Sequence, residues 1–314
     1  MMNIYKSEVL GKSGISAKVV ADSISKSGKR ISTLELRYPR FIHSEFMTHR
    51  LFSRNASSSR AIPVETMLKQ VREEAAKPIH WGKNQSGMQA REELDDGSLY
   101  WNDAAESAAR HAEIMKEKQY HKQITNRLIE PFQFIKVVVT STEWENFFNL
   151  RIHPDAQPEI QELAKCMKSA MTLSTPMFLS EHEWHLPYVN DPTKTIQNGY
   201  NLEEAIKASV ARCARVSYMK HDNSNPSIED DLELYNVLAT RPYTDKRGHE
   251  FAENDPVHLS PLEHQATPMI GNGKIVSLGG PEHYLNTPGI THFDKFGQFW
   301  SGNFAGWIQY RQII

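Results

Sequence analysis

"FMTHRLFSRNASSSRAIP", residues 46–63, gathers three arginines, one histidine and four serines beside apolar side chains. The apolar residues of "RFIHSEFMTHRLF", residues 40–52, recur at helical spacing, and the serine run after them cannot continue a stable helix. The pattern therefore predicts a helix followed by a polar turn, with Pro63 opening the next helix.

This predicted helix and turn bring together groups that bind phosphate. Arg50 and Arg54 would share one face of the helix, and the serines at 57–59 would supply hydroxyl and backbone N–H donors just before Arg60. Forked guanidinium groups with such donors suit a phosphate dianion. The donors exceed what one phosphate needs, which indicates two phosphate-bearing ligands. Taken alone, the stretch would also suit a solvated basic helix end.

The composition limits the class of protein and of partner. The chain has 314 residues, a net charge of -2 and 39% hydrophobic residues, and we expect a single domain over residues 1–314. The near-neutral charge argues against a nucleic acid polymer as partner, so the expected phosphates belong to small molecules. No apolar run reaches the roughly 18 residues of a membrane span, and no secretory leader is recognised. With only two cysteines, we expect a cytoplasmic protein without a membrane partner.

Helical patterns outnumber strand patterns along the chain, which predicts the α+β class. Strands are predicted where β-branched residues cluster, at 29–39 and 132–140. Helices are predicted at 63–77, 99–129, 140–151, 156–171 and 201–217. Pro131 would end the second of these helices, and a Thr-x-x-Glu capping box would open the third. We expect residues 219–259 to be irregular and the apolar residues of 299–314 to close the core.

Several motifs with known chemistry lack a required residue. "GNGKI", residues 271–275, has Ile275 where a phosphate-binding P-loop needs Ser or Thr, and no G-x-G-x-x-G follows a strand. In "EHEWH", His182 and His185 are three residues apart, whereas a zincin helix places its two ligands four apart, so no metal site is expected. Cys166 and Cys213 lie in helical patterns and are expected to be buried, inert thiols.

Five blocks of the sequence resemble one enzyme family. "THRLFSRNASSSR" (48–60) resembles the signature R-H-R-x-x-S-x-N-E-x-S-x-R-Y of the flavin-dependent thymidylate synthases. The other blocks are "NRLIEP" (126–131), "EWENFFNLRIHPDAQPEIQELA" (143–164), "ARCARVSY" (211–218) and "SPLEHQATP" (260–268). The last two precede the arginine-rich signature in the usual family layout, but here they follow it. A circular permutation, which folds tolerate when their original ends lie close together, explains this order.

The resemblance implies a compact α+β fold and a homotetramer with sites between subunits. It implies transfer of one carbon from methylenetetrahydrofolate to C5 of dUMP through reduced FAD, with NADPH as reductant. The positions that would bind FAD are His49, Arg50, Thr140, Thr142, Asn146 and His264, the last also lying near the folate. The positions that would bind the pyrimidine deoxynucleotide monophosphate are Glu45, Ser58, Ser59, Arg60 and Arg127. Arg151 matches the arginine that faces the pyrimidine ring, and we assign it as the catalytic residue.

The chain departs from the family pattern at five positions. Thr48 stands where the first arginine of the signature belongs, Ala56 replaces its glutamate and Ala61 replaces its tyrosine. Glu45 stands where the family usually has a nucleotide-binding glutamine, and Asp155 where it often has histidine.

These departures keep three hypotheses open. The first is a methyltransferase that acts on dUMP, since the donor-only Arg151 suits uracil carbonyls and the anion formed at N3. The second is the same fold acting on dCMP, with a methyl or hydroxymethyl product, because Glu45 or Asp155 could accept from the N4 amine. Asp155 is predicted to lie one helical turn from Arg151 and to reach it. The third, motivated by the lost arginine and glutamate, is a non-catalytic relative that binds flavin or nucleotide.

Overall fold

The structure, a computed structural model, describes residues 8–189, 199–216, 226–269, 290–294 and 296–314. Its strands are β1 (Glu8–Leu10), β2 (Ser16–Ser25), β3 (Arg30–Pro39), β4 (Ser53–Ala56), β5 (Phe134–Ser141), β6 (Met177–Leu179), β7 (Tyr243–Thr244), β8 (Glu250–Phe251), β9 (Ala266–Pro268), β10 (His292–Phe293), β11 (Phe299–Trp300) and β12 (Trp307–Gln309). Its α-helices are α1 (His43–Met47), α2 (Val64–Glu73), α3 (Ser98–Glu117), α4 (Lys122–Thr125), α5 (Glu145–Arg151), α6 (Pro158–Leu173), α7 (Leu202–Arg215) and α8 (Ile228–Ala239). Short 3-10 helices include Arg40–Ile42, Asn126–Phe132 and Ser260–Glu263.

A six-stranded sheet forms the centre of the fold. Its order is β1-β2-β3-β5-β4, and β6 pairs with β2 in parallel while the other pairs are antiparallel. β4 lies in the middle of the arginine-rich stretch, and it pairs with β5 so that Ser53 lies opposite Thr140. The sheet therefore places this stretch beside the strand that leads into α5 and Arg151.

Both faces of the sheet are covered, because successive side chains of a strand point to opposite sides. On one face, Val137 and Val139 of β5 join the main core with residues of α5 and α6. On the other face, Val138 packs against Cys213 of α7. Helices and strands are mixed in this arrangement, and the predicted α+β class is confirmed. In the segment 299–314, Phe304 and Trp307 are buried as expected, but the side chains of Phe299, Trp300, Ile313 and Ile314 are exposed, so the segment closes the core only in part.

Most of the predicted elements are present. The strands predicted at 29–39 and 132–140 are β3 and β5, and the helices predicted at 63–77, 156–171 and 201–217 are α2, α6 and α7. Within the described ranges, none of the helices has the length and apolarity that a bilayer crossing needs. The "GNGKI" motif and the last two residues of the "ARCARVSY" block lie outside the described residues.

The arginine-rich stretch does not form the predicted helix. α1 covers only its first two residues, and β4 lies in its middle, at Ser53–Ala56. Aromatic packing explains the difference, since Phe46 and Phe52 lie 5.7 Å apart and both contact Phe147 of α5. The apolar spacing that predicted a helix instead serves this cluster, and Arg50 and Arg54 do not share a helical face.

Three other predictions are wrong in part. The long helix over 99–129 is interrupted after α3, because Gln119 adopts a φ of 64° that a helix cannot contain. α5 begins at Glu145 without a side-chain cap, so no capping box opens it. The region predicted to be irregular contains α8, which is capped by the Ser227 side chain accepting from the Asp230 N–H.

Candidate functional site

Arg151, the last residue of α5, points back to the loop that follows α1. Its Nε donates to His49 Nε2 at 3.0 Å, and a terminal nitrogen donates to Thr48 Oγ1 at 3.3 Å. The other terminal nitrogen lies 3.8 Å from the Glu45 carboxylate. Three side chains thus orient the guanidinium, while 22% of the Arg151 side chain remains exposed and can meet a ligand.

Arg54 holds this loop together through one of its terminal nitrogens. One of its terminal nitrogens donates to the carbonyl oxygens of Met47 and His49 at 2.9 and 3.0 Å, and more weakly to that of Phe46 at 3.4 Å. Carbonyls at the end of a helix lack helical partners, and a basic side chain satisfies them here. The prediction that Arg50 and Arg54 share one helical face is wrong, because α1 ends at Met47 and Arg54 belongs to β4. Arg54 instead fixes the backbone that carries His49.

The surroundings of His49 disfavour a positive charge on its ring. Burial lowers its pKa most, and repulsion from Arg151 and Arg54 adds to this, so that the pKa falls from 6.5 to about 4. The edge of the ring also meets Phe147, with 4.8 Å between the ring centroids. A neutral His49 can accept the Arg151 hydrogen bond at Nε2, whereas an imidazolium has no acceptor to offer.

We therefore expect His49 to titrate near pH 4. Because its pKa is lower in the folded than in the unfolded chain, the group favours unfolding as the pH falls from 6.5 through 4 and has no effect above 6.5. An NMR titration of histidine rings measures this pKa, with His49→Ala identifying the signal. Titration of folded His49 near its ordinary pKa would contradict the hydrogen bond from Arg151.

A second cluster of arginines surrounds Glu130, beside the turn predicted to bind the nucleotide. The Glu130 carboxylate accepts from Ser59 Oγ at 2.8 Å and from Arg127 at 3.0 Å, and it lies 3.2 Å from Arg40 Nε. Burial lowers the pKa of Arg40, and Glu130 opposes that effect. Arg60 follows Ser59 in the chain and is exposed. Three arginines against one carboxylate leave a surplus of positive charge for an anion.

The serines of the turn have different roles. Ser57 Oγ accepts from the Lys136 N–H at 3.1 Å and so ties the turn to β5. Ser59 is buried and donates to Glu130. Ser58 is half-buried between them, and it is the serine best placed to offer its hydroxyl to a ligand.

The residues predicted to contact flavin fall into two groups. Arg50 and Asn146 are exposed, and Thr142 is half-buried with its hydroxyl accepting from the Ala305 N–H at 2.9 Å. Thr140 and His264, in contrast, are fully buried, and Thr140 Oγ1 lies 2.8 Å from His264 Nδ1. The structure therefore brings the first group, with His49, to the surface and the second group into the interior.

Asp155 does not approach Arg151, and the prediction that they meet is wrong. α5 ends at Arg151, so Asp155 lies in the turn beyond the helix. Its carboxylate lies 3.6 Å from His153 and 3.9 Å from Arg91. Of the two carboxylates considered for reading the base, Glu45 is the one located at Arg151.

The two cysteines and His185 are buried in the core. Cys166 and Cys213 are buried, and burial raises the pKa of Cys166 to about 11 and that of Cys213 further, so neither offers a thiolate at neutral pH. His185 is 1% exposed and hydrogen-bonded to Ser23 and Thr33. Across the ranges that the structure describes, no group of three or more His, Cys, Asp or Glu side chains could hold a metal ion.

Sequence reasoning missed Arg40 and Glu130, and it considered His185 only as a metal ligand. Glu130 lies inside the "NRLIEP" block, so a signal for it was present. Arg40 and His185 reach their partners only through tertiary packing.

Comparison with known proteins assigns the segment that carries this site. Residues 31–177 match the Thy1 family, described as thymidylate synthase complementing protein. This segment is a member of that family. It covers slightly less than half of the chain and contains the arginine-rich stretch, the Glu130 cluster and Arg151.

No curated protein matches the chain. Among solved structures, a UMP/dUMP methylase PolB from Streptomyces cacaoi bound with 5-Br UMP is 16% identical, with a TM-score of 0.41. That match covers 52% of this chain and 91% of the methylase.

Proposed function

We propose that this Thy1-family protein converts dUMP to dTMP, with methylenetetrahydrofolate as the carbon donor, FAD as the cofactor and NADPH as the reductant. The observation that carries the proposal is Arg151, whose guanidinium is oriented by His49, Thr48 and Glu45 and is still open to a ligand. A pyrimidine methyltransferase needs such a group because the uracil ring must be held and polarised at its carbonyl oxygens.

Arg151 is the catalytic residue in this proposal. Its N–H groups only donate, so they suit the uracil carbonyl oxygens and the negative charge that develops when N3 loses its proton. Neutral His49 accepts from Arg151 Nε, and Thr48 accepts from one terminal nitrogen. Each terminal nitrogen carries two N–H groups, so one on each can still face the base. Preorganisation of this kind costs no reorganisation during the reaction and is worth more in a half-buried pocket than in water.

The Glu130 cluster would bind the phosphate of dUMP. Arg127, Arg60 and Ser58 supply the donors, with Ser59 and Glu130 holding the turn in place. The phosphate dianion would balance the surplus of positive charge left by the arginines. A nucleoside without phosphate should accordingly bind poorly.

The surface around His49 fits the binding of FAD. Arg50 offers an exposed guanidinium for the phosphates, and Thr142 and Asn146 lie on the adjoining segment, before and within α5. In the interior, Nε2 of His264 is buried and has no hydrogen-bond partner within the described ranges, which fits an acceptor atom of a flavin ring. FAD, when bound, supplies the redox chemistry by which the transferred carbon becomes a methyl group.

We expect Arg50→Ala to lose FAD while the protein stays folded. Loss of a charged hydrogen bond to phosphate weakens binding by roughly ten- to a hundredfold. Flavin absorbance after gel filtration measures the content, and Arg110→Ala, which removes an exposed arginine of α3, is the matched control. Equal flavin content in both variants would remove Arg50 from the proposed site.

The second candidate substrate is dCMP, and Glu45 is the observation that favours it. Its carboxylate lies at the Arg151 guanidinium and is 34% exposed, so it could accept from the N4 amine of cytosine. The placement of Asp155 away from Arg151 removes the other carboxylate from this role. We rank dUMP first because the Glu45 carboxylate already lies at Arg151. In that position Glu45 orients the guanidinium, and the guanidinium is then the group that contacts the base.

The contacts of the two blocks at 211–218 and 260–268 support a circular permutation of the family fold. Asn55 Nδ2 of β4 donates to the Cys213 carbonyl oxygen at 2.8 Å, and His264 contacts Thr140 of β5. Both contacts join the last two blocks to the strands of the arginine-rich segment, as expected if one domain had its termini moved. We further propose a cytoplasmic homotetramer with sites between subunits.

A further inference from the structure

A buried chain of hydrogen bonds crosses one face of the central sheet and ends at His264. Ser23 Oγ lies 2.9 Å from His185 Nδ1, and His185 Nε2 lies 2.8 Å from Thr33 Oγ1. Thr33 Oγ1 lies 2.7 Å from Thr140 Oγ1, which lies 2.8 Å from His264 Nδ1. None of the five residues is more than 1% exposed. β2, β3 and β5 hold the hydroxyl groups in line because Thr33 and Thr140 are register partners.

The protons of this chain can be placed by requiring each buried donor to have an acceptor. If Ser23 donates to His185 Nδ1, then His185 Nε2–H donates to Thr33, Thr33 to Thr140, and Thr140 to His264 Nδ1. His264 then carries its proton on Nε2. In the opposite direction His264 Nδ1–H would donate to Thr140, and His185 Nδ1–H would donate to Ser23. The Ser23 hydroxyl proton would then lack an acceptor among the described residues, and a lone pair on His264 Nε2 would also be unused. The first direction leaves fewer unsatisfied groups.

The last group of this hydrogen-bond chain, His264 Nε2, has no partner among the residues that the structure describes. Nε2 of His264 is buried and unpaired, and a buried N–H without an acceptor is destabilising. Burial lowers the pKa of both His185 and His264 to about 3, so both rings stay neutral and keep one proton each. The chain therefore delivers one oriented N–H donor to a place where an acceptor is missing.

We propose that His185 and Thr33 are positioning residues that fix His264 as its Nε2–H tautomer, with this N–H directed at an acceptor atom of the bound flavin ring. The acceptor is a carbonyl oxygen or ring nitrogen of the flavin, so this inference rests on the proposed FAD site. The proposal gives a role to His185 of the "EHEWH" motif, for which no metal site was expected. His185 acts through Thr33 and Thr140 and does not itself touch the flavin.

The tautomer of His264 can be measured by NMR of the ring nitrogens in the flavin-loaded protein. We expect the Nε2–H form in the wild type and a mixture of both tautomers in Thr33→Val, which keeps the shape of the side chain but removes the hydroxyl. Thr125→Val, at another buried threonine bonded to the His121 carbonyl, is the matched control and should leave His264 unchanged. His264→Gln assigns the signal.

The flavin spectrum and the kinetics supply the second readout. Thr33→Val should shift the flavin absorption maximum and lower kcat roughly two- to tenfold, with the KM for dUMP unchanged, since one neutral hydrogen bond is misdirected. His185→Leu should have the same effect. In His185→Gln the amide can still donate to Thr33, so this variant should keep most of the wild-type kcat and absorption maximum. A purely structural role would instead lower stability in all three variants without moving the tautomer.

The outcomes separate this inference from the proposed function. An Nδ1–H tautomer in wild-type His264, or an unchanged tautomer and spectrum in Thr33→Val, overturns the inference even if the protein methylates dUMP. Failure to bind flavin overturns the proposed FAD site and the flavin contact together. The NMR experiment on that same sample still decides whether His185 and Thr33 set the tautomer.

Discussion

Replacing Arg151 by alanine should lower kcat/KM for dUMP by about a hundred- to a thousandfold, the range measured for removal of one preorganised donor at a developing negative charge. Most of the loss should appear in kcat, because the interaction strengthens as charge develops on the pyrimidine. Flavin content should change little, since Arg50 and not Arg151 is assigned to the cofactor. The measurement is steady-state turnover of flavin-loaded protein at several dUMP concentrations.

Two matched variants make this result specific. Arg151→Lys keeps the charge but loses the planar fork that His49 and Thr48 orient, and it should recover only a small part of the activity. Arg91→Ala removes an exposed arginine whose contact is Asp155 at 3.9 Å, and it should be as active as the wild type. Full activity of folded Arg151→Ala would remove this residue from catalysis.

Replacing Asp231 by alanine should lower the free energy of unfolding by about 3–5 kcal/mol, the cost of leaving buried charges without their partner. Asp231 of α8 is fully buried and accepts from Arg212 Nε at 2.8 Å and from Arg215 Nε at 3.0 Å. Both arginines belong to α7, so the carboxylate joins the two helices. Without it, two guanidinium groups would repel each other at a desolvated position.

Urea denaturation followed by circular dichroism measures this loss. Asp103→Ala, at an exposed aspartate of α3, is the control and should shift stability by less than about 0.5 kcal/mol. A change of similar size in both variants would show that the Asp231 ion pairs do not stabilise the contact between α7 and α8.

The elements that sequence predicted correctly are those with a strong local signal. β3 and β5 contain β-branched runs, and α6 and α7 bury one apolar face, so their patterns identify them without knowledge of their neighbours. α7 also has a complete capping box between Asn201 and Glu204. β2 was missed because its sequence, "SAKVVADSIS", mixes small and polar residues with only two adjacent valines.

The candidate site was predictable in its residue types but not in its geometry. Glu45, His49 and Arg151 are recognised from the blocks that resemble the family, yet the contacts among them depend on how α5 packs against the loop after α1. Arg54 was assigned to phosphate because its donors suit an anion, but nearby backbone carbonyls compete for them. Helical spacing predicted a contact between Arg151 and Asp155, and that prediction was wrong because the helix ends at Arg151.

The chain of hydrogen bonds from Ser23 to His264 carries no sequence signal. Its five residues come from three strands and two connecting segments, and the closest pair in sequence, Ser23 and Thr33, is not directly bonded. Only the register of the sheet brings the two threonines together. Networks of this kind require tertiary structure, because no local pattern distinguishes their members from other core residues.

The central claim is that Arg151 reads uracil, and parallel turnover assays with dUMP and dCMP test it most directly. Both reactions contain the flavin-loaded protein, methylenetetrahydrofolate and NADPH. Because a site that pairs a buried polar group rejects the mismatched analogue strongly, we expect dTMP from dUMP and no product from dCMP. Conversion of dCMP with dUMP left untouched would contradict the claim and assign recognition of the base to Glu45.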